Sequence, residues 1–373
     1  MGISWSQLGN KLVKQAKDRK VPITGQFELT ARCNLKCKMC YVCRPAGDRI
    51  AIEHELSAKE WIQLAGEARD AGMLYLLLTG GEVFLRRDFK EIYEEMSGMG
   101  FGIEIYTNAT MITPDVAKWL GKIPPLKMEV SLYGASKEAY SKVCGYAEGF
   151  ESAIRGIDFL REEGITLELR TTVIHDNSSD FEKIAELAGD RGIKLGIVNY
   201  VSPRRDEHNR LSGVERLSPR ELVEYEIKVE EYFRNRADDI SSSAGTGGKA
   251  FAGKSDDEST AADAPVKEGN SPFYCTAGTC AFWITWDGRM LPCGLADSPH
   301  TLPSEKGFYE AWRYLQELCN STPHCKECRE CELKDYCMTC PAALKNETGS
   351  FDIPSKYLCE HARLRKLYKN NRR

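Results

Sequence analysis

Three cysteines, Cys33, Cys37 and Cys40, form a Cys-x3-Cys-x2-Cys run directly after the first apolar strand of the sequence. Thiolates at that spacing on a loop can each bind one iron of a cubane cluster and leave the fourth iron without a protein ligand. A small molecule carrying an amine and a carboxylate can chelate that open corner. The same loop offers Cys43, a fourth thiol that would complete a tetrahedral zinc site instead. The second strand ends in Leu78-Thr79-Gly80-Gly81-Glu82. Its two glycines let the backbone come close to a ligand, and the Glu82 carboxylate can accept from a ligand ammonium. Thr107-Asn108 and Ser131 stand at the carboxyl ends of the next two strands, the edge where parallel α/β folds bind ligands. Arg170 on the fifth strand could meet a carboxylate or be an ordinary edge charge.

These thiols belong to a larger set. The 373-residue chain has 15 cysteines: four between 33 and 43, one at 144 and ten between 275 and 359. An odd number without a secretion signal argues against a disulfide scaffold and for reduced thiols that bind metal or do chemistry. The charge balance, 51 Lys+Arg against 55 Asp+Glu, excludes a strongly basic nucleic-acid binder as the default. The longest apolar run, Met73 to Leu78, is far short of a membrane span, and the first 20 residues hold no apolar signal region. The expectation is a cytoplasmic protein. Met1-Gly2 with Ser6 fits a loose myristoylation pattern that nothing else in the sequence supports.

The elements that must position the first site alternate. Short apolar strands are expected at Thr24–Leu29, Leu74–Leu78, Gly102–Tyr106, Lys127–Leu132, Thr166–Val173 and Lys194–Val201. Helices are expected at Ser57–Ala71, Asp88–Met99, Pro114–Leu120, Phe150–Glu163, Ser179–Arg191 and Ser218–Arg236. Ser57 with Glu60 reads as a capping box. Six strand–helix units predict a parallel α/β sheet, either an open partial barrel or a flat doubly wound sheet. Residues 237–272 read as a flexible linker, rich in Ser, Gly, Ala, Asp and Lys. Residues 273–362 are Cys-dense and short of helix pattern apart from Phe308–Leu318, so metal–thiolate bonds could hold them in shape. The remaining parts are an N-terminal segment, 1–22, ahead of a barrel at 23–236, and a basic tail, 363–373, expected to be a solvated helix.

Taken together, the Cys-x3-Cys-x2-Cys loop after strand one, GGE after strand two and Thr-Asn after strand three resemble the radical S-adenosylmethionine enzymes over residues 22–235. The resemblance implies a partial (β/α)6 barrel with a 4Fe–4S cluster on Cys33, Cys37 and Cys40 and S-adenosylmethionine on the open iron. Gly80, Gly81 and Glu82 would hold its amino group, and Asn108, Ser131 and Arg170 would contact its ribose or carboxylate. Reductive cleavage of the sulfonium would give methionine and a 5′-deoxyadenosyl radical that abstracts a substrate hydrogen, the protein supplying placement and exclusion of water. Two positions depart from the family pattern. Met39 replaces the usual aromatic before the third Cys, and Val83 follows Glu82 where proline is common.

The later cysteines are ordered Cys275-x4-Cys280, Gly288-x4-Cys293, Cys325-x2-Cys328-x2-Cys331-x5-Cys337-x2-Cys340 and Cys359. A pair of zinc ribbons would also use such spacings. The order is similar to the SPASM extension of radical S-adenosylmethionine enzymes, which implies a small Cys-rich C-terminal extension with two auxiliary 4Fe–4S clusters. Carried over, the first would use Cys275, Cys280, Cys293 and Cys340, and the second Cys328, Cys331, Cys337 and Cys359. The Cys337-x2-Cys340 spacing is one residue shorter than usual, and Cys325 competes as a ligand for either site. Cys43, Cys144, Cys319 and Cys325 are left over, with Cys144 and Cys319 expected as buried core thiols. Cys144 follows the fourth strand, where related enzymes often carry Arg.

Ser131-Leu132-Tyr133-Gly134-Ala135-Ser136, followed by Tyr140 and Gly145, resembles the maturases of ribosomally made peptides. That implies a peptide or protein substrate and a thioether, a carbon–carbon crosslink or an epimerised centre as product. It also implies an electron donor such as flavodoxin or ferredoxin. Only about 22 residues precede the expected barrel, so a separate leader-recognition protein or a pocket built by the extension is expected. Tyr274, Trp283 and Trp286 could touch a peptide or simply pack. The alternatives are an anaerobic sulfatase maturase, which would carry a carboxylate directly after Cys293 where Gly294 stands, and a non-catalytic zinc-binding interaction protein.

Overall fold

The structure, a computed structural model, describes residues 5–42, 44–204, 216–242, 273 and 275–371. Cys43, Tyr274 and residues 243–272 of the expected linker lie outside the described residues. Strands β1 (Thr24–Glu28), β2 (Tyr75–Thr79), β3 (Gly102–Thr107), β4 (Lys127–Ser131), β5 (Leu167–Thr172) and β6 (Lys194–Val198) pair in chain order. Every one of these pairings is parallel. A doubly wound sheet reverses its strand order at a switch point. This sheet does not, so the open partial barrel is the correct reading of the alternation.

The crossovers run through helices, among them α1 (Trp5–Arg19) ahead of the barrel, α2 (Ala58–Asp70), α3 (Phe89–Gly98), α4 (Pro114–Lys122), α5 (Lys137–Cys144), α6 (Gly149–Glu162), α7 (Phe181–Asp190) and α8 (Pro219–Ser242). Local chemistry sets their starts. Ser57 and Glu60 form the capping box of α2, Thr113 caps α4 ahead of Pro114, and Ser136 caps α5. Gly145 closes α5 in the left-handed region, at φ +68°. Apolar strand residues such as Phe27, Leu76, Leu78, Ile103, Ile105, Met128, Val130 and Leu169 point at the helices and form one core with Trp61, Ile92, Leu120, Ile157 and Ile184.

Three features differ from the sequence expectation. The first 22 residues include a helix, α1, whose Leu12, Val13 and Ala16 pack on Ile23 and Cys280. The helix α8 runs past Arg236 to Ser242. The Cys-dense segment continues the barrel sheet through β7 (Ala281–Ile284), which pairs in parallel with β1, and β8 (Met290–Leu291), which pairs antiparallel with β7. Part of that segment is therefore held by backbone pairing and packing.

The same segment holds the expected helix as α9 (Phe308–Ser321) and more helix than its pattern announced in α10 (Pro341–Thr348) and the start of α11 (Lys356–Asn371). Phe308 and Trp312 of α9 stack on Phe282 of β7, with ring centroids 5.0 and 5.9 Å apart, and the Trp312 indole N–H donates to Lys20 C=O at 2.9 Å. Helix α11 absorbs most of the basic tail, and Arg365 pairs with Glu226 of α8 at 3.1 Å instead of being fully solvated. Trp312→Ala removes the fully buried ring that bonds α9 to β7 and to the chain before β1. The expected loss is about 3–5 kcal/mol, read as a lower urea midpoint; an unchanged midpoint would show that this contact does not anchor the segment.

Candidate cluster and cofactor site

The backbone beyond β1 and β2 continues as a ladder. Leu29 N–H donates to Thr79 C=O at 2.8 Å, Gly81 N–H to Thr30 C=O at 2.7 Å and Glu82 N–H to Arg32 C=O at 2.9 Å. A Cβ on Gly80 would stand 2.4 Å from Thr30 O, and one on Gly81 would stand 2.3 Å from Arg32 O. The glycines are required by this close approach to the chain's own backbone. The ladder delivers Cys33 directly after it.

Glu82 is 1% exposed. Its carboxylate accepts from Phe84 N–H at 3.1 Å, from Asn108 N–H at 2.8 Å and from the Thr107 hydroxyl at 2.8 and 3.0 Å. Burial raises its pKa, and these donors oppose the rise. It therefore ties the ends of β2 and β3 together. Asn108 reaches the cysteine loop: its amide N–H donates to Asn34 Oδ1 at 3.0 Å and points to Cys33 Sγ at 3.7 Å. Leu35 N–H donates to Cys33 Sγ at 3.3 Å.

The rest of the loop hangs on α5, where Lys36 N–H donates to Cys144 C=O at 2.8 Å and Lys38 N–H to Val143 C=O at 3.0 Å. Tyr133, on the turn after β4, has its hydroxyl pushed well up by burial and next by Cys37, with Cys40 adding, and it is hydrogen-bonded to Ser131. Cys37, Cys40 and Ser131 thus share one neighbour. Cys144 is buried beside the loop, and its carbonyl serves as the loop's anchor. Arg170 is turned to Glu129, 2.6 Å away, and lies over Gly196, where a Cβ would meet its guanidinium at 2.4 Å. Burial works against its charge, but the Glu129 hydrogen bond and nearby carboxylates outweigh it and raise its pKa. Of the predicted cofactor residues, Glu82 and Asn108 join the Cys33 end and Ser131 the Cys37–Cys40 end, while Arg170 is engaged within the wall.

Sequence reasoning missed a row of charges. On the sheet face turned away from the helices, Lys127 lies 2.9 Å from Glu168 and 3.7 Å from Glu104, and Lys194 lies 3.3 Å from Glu168. Tyr106 stands among them, its hydroxyl raised by burial and then by Glu129 and Glu104. The signal was present as polar residues alternating with apolar ones in GIEIYT, KMEVS and LELRTT.

The later thiols fall into two groups. Cys275 and Cys293 pack on the main core, and the thiol of Cys340, at the start of α10, is pushed up to about 12 by burial, then by Cys293 and Cys275. Cys280, whose thiol is raised by burial with Cys275 adding, packs with Ala16 and Ile23 against α1. In the second group, burial and a hydrogen bond to Cys325 raise the Cys328 thiol, with Cys359 and Cys337 adding. Cys331 acts on both Cys337 and Cys359. Trp283 and Trp286 are both 6% exposed. The Trp283 indole donates to Glu28 at 3.0 Å and meets Tyr41 edge-on at 6.3 Å, and Arg44 lies over Trp286. Both tryptophans therefore pack, and neither offers an open peptide platform.

Residues 27–188 match the radical SAM superfamily. The chain carries a radical SAM domain, and the enzymes of that family use a 4Fe–4S cluster and S-adenosylmethionine. The AdoMet-dependent heme synthase of Methanosarcina barkeri is 26% identical over 347 residues, 87% of this chain and 93% of that protein. The sporulation killing factor maturation protein SkfB of Bacillus subtilis is 22% identical over 329 residues, 87% of this chain and 73% of that protein. The crystal structure of Streptococcus suis SuiB bound to precursor peptide SuiA superposes with a TM-score of 0.68 at 19% identity, covering 95% of this chain and 80% of that one, a likeness of fold.

The donor set fits the family's cluster in kind: three thiols on one loop, one of them already accepting an N–H. Two outcomes follow. Glu82→Ala strands the Asn108 and Phe84 donors in a buried setting, so a loss of about 2–4 kcal/mol is expected in urea denaturation, together with loss of S-adenosylmethionine binding by calorimetry. The Cys340 and Cys328 thiols, held protonated by burial near neutral pH, must release protons to bind iron. Cluster loading, followed by iron content, should therefore rise between about pH 7 and pH 9; loading that falls over this range would contradict the assignment.

Proposed function

We propose that this chain is a radical S-adenosylmethionine enzyme that abstracts hydrogen from a peptide substrate, maturing a ribosomally made peptide through a thioether, a carbon–carbon crosslink or an epimerised centre. When bound, the cluster and S-adenosylmethionine supply reductive cleavage to a 5′-deoxyadenosyl radical. Cys33, Cys37 and Cys40 would hold the cluster, Gly80, Gly81 and Glu82 the amino-group side, and Asn108 and Ser131 the polar rim. Arg170 serves the wall through Glu129. The later thiols would form a SPASM-type extension with auxiliary clusters, and a flavodoxin or ferredoxin in the cytoplasm would donate the electron. Among the described residues no helix is long and apolar enough to cross a membrane.

The observation that carries the peptide reading is the polar sheet face. Glu104, Tyr106, Lys127, Glu129, Glu168, Arg170 and Lys194 offer hydrogen-bonding groups, and the three cations are already matched to carboxylates. A peptide backbone can exchange hydrogen bonds with such a wall. A heme precursor presents a flat apolar macrocycle with carboxylate arms, which calls for apolar walls and uncommitted cations. The heme-precursor reading is nonetheless kept as the second, because the likeness to the heme synthase spans 93% of that protein.

The sulfatase-maturase reading is disfavoured by packing. The residue after Cys293 is Gly294, and a Cβ there would stand 2.7 Å from the Trp283 indole, so no carboxylate side chain fits that position.

Anaerobically reconstituted enzyme, reductant and S-adenosylmethionine are expected to yield 5′-deoxyadenosine. Mass spectrometry is expected to show two hydrogens lost from a peptide encoded beside the gene, or deuterium gained from heavy water on epimerisation. Turnover of an iron porphyrin, with the peptide untouched, would select the second reading. Cys33→Ala should abolish 5′-deoxyadenosine formation; a variant that still forms it would refute the cluster assignment.

A further inference from the structure

The barrel sheet has two ends, and they differ. At one end β8 pairs with β7, and Met290 of β8 exchanges N–H and C=O hydrogen bonds with Thr301 at 2.8 and 3.0 Å. The other end is β6, which pairs only with β5. Every other strand of this sheet holds at least two buried residues, whereas all five of β6 are half-buried. Natural sheets cover or blunt an edge of this kind, because its open main-chain groups pair readily with another chain.

Which groups are open follows from the register. Val173 N–H donates to Val198 C=O at 2.9 Å. In a parallel ladder, successive residues turn their N–H and C=O to alternate sides. Lys194, Gly196 and Val198, opposite Glu168, Arg170 and Thr172, therefore bond to β5. Leu195 and Ile197 turn their main-chain groups outward, and neither meets a hydrogen-bond partner among the described residues. Their side chains pack against the cluster of Phe181, Leu222 and Tyr225 on the helix side, so they do not fill the edge. On the opposite face Lys194 lies 3.3 Å from Glu168, and the Arg170 guanidinium covers Gly196. The open edge thus borders the polar wall. Its two N–H and two C=O groups, on residues two apart along one strand, are the complement of an extended chain. A flat macrocycle offers no such alternating series.

We propose that the peptide substrate docks as an added strand on β6, exchanging main-chain hydrogen bonds with Leu195 and Ile197. This rests on the peptide reading of the function. An added strand turns every second side chain to the face that carries Lys194 and Arg170. Main-chain bonds then hold the neighbouring residues whatever their side chains, while one residue is presented to the wall.

The test uses the full chain, reconstituted anaerobically, with S-adenosylmethionine and the peptide encoded beside the gene, and reads Kd by calorimetry. A peptide that is neither bound nor modified overturns the peptide reading, and this docking with it. On a peptide that is bound and modified, single N-methyl groups are placed in turn along the backbone, each removing one N–H and leaving the side chains unchanged. Affinity should fall about two- to tenfold at every second position of the docked stretch, since only alternate residues of a strand face a given neighbour. Losses without that alternation, or none, overturn the docking and leave the peptide reading intact. On the enzyme side, Ile197→Pro removes an outward N–H and no bond to β5, and Ile197→Ala keeps that N–H while losing the same packing. The Pro variant should bind at least about twofold more weakly than the Ala variant; equal binding counts against the proposal. In hydrogen–deuterium exchange, residues 194–198 should gain protection when the peptide is added. Full protection already present without peptide would mean that the protein itself or a second copy covers the edge, and would overturn the inference.

Discussion

Between residues 29–32 and 79–82 two strand ends lie so close that neither can carry a side chain at Gly80 or Gly81, and the rest of the site depends on this approach. The backbone ladder there fixes where the chain leaves β1, and thus where Cys33 begins. Its third rung presents Glu82, whose carboxylate gathers donors from Phe84, Thr107 and Asn108 and so draws in β3. Behind the ladder, Arg32 pairs with Glu55 at 2.8 Å, and Arg86 donates to Leu29 C=O at 2.7 Å. Buried polar groups of this kind are costly when any partner is missing. A fully satisfied network therefore confines the loop to one geometry, and α5 holds its far end through Lys36 and Lys38.

The C-terminal segment solves a second constraint. An open partial barrel leaves β1 with an unpaired edge, which natural sheets cover or blunt. Here β7 covers it, in parallel register from Thr24↔Ala281 to Phe27↔Ile284. The same strand aims Trp283 between Tyr41, next to Cys40, and Gly294, next to Cys293. One indole therefore sets the spacing between the first cysteine loop and the first later thiol group. The glycine after Cys293 is as much a consequence of that ring as the glycines after Thr79 are of the ladder.

Much of the barrel was legible because its signals are local. Strand positions and most helix positions followed from alternating and helical periodicities, and Ser57 and Thr113 each cap where short-range hydrogen bonding favours them, whereas α5 behind Ser136 was not anticipated. Order along the chain also located the first cysteine loop and its polar neighbours. What order could not provide was direction. Cys275-x4-Cys280 looks like one ligand pair, yet a left-handed turn at Gly278 sends the two thiols to different cores. Cys319 looked like any apolar-face helix residue, and its contact with Gly278 of the Cys275–Cys280 loop is a long-range fact with no trace in spacing. The pairing of β7 with β1, some 250 residues apart in the sequence, is of the same kind.

The charged sheet face illustrates a last step from sequence to chemistry. Arg170 alone was read from the sequence, as a carboxylate contact or an ordinary edge charge, and a lone buried charge is expensive. The face escapes that penalty by pairing. Three cations, Lys127, Arg170 and Lys194, stand against three carboxylates, Glu104, Glu129 and Glu168. The pairing removes most of the field an ionic substrate would feel, so this wall does not sort substrates by net charge. It keeps the pairs' remaining lone pairs and N–H groups, together with the Tyr106 hydroxyl, as short-range directional contacts. On the function proposed here such a wall would orient a substrate by geometry, as placing one particular C–H bond at a radical centre requires.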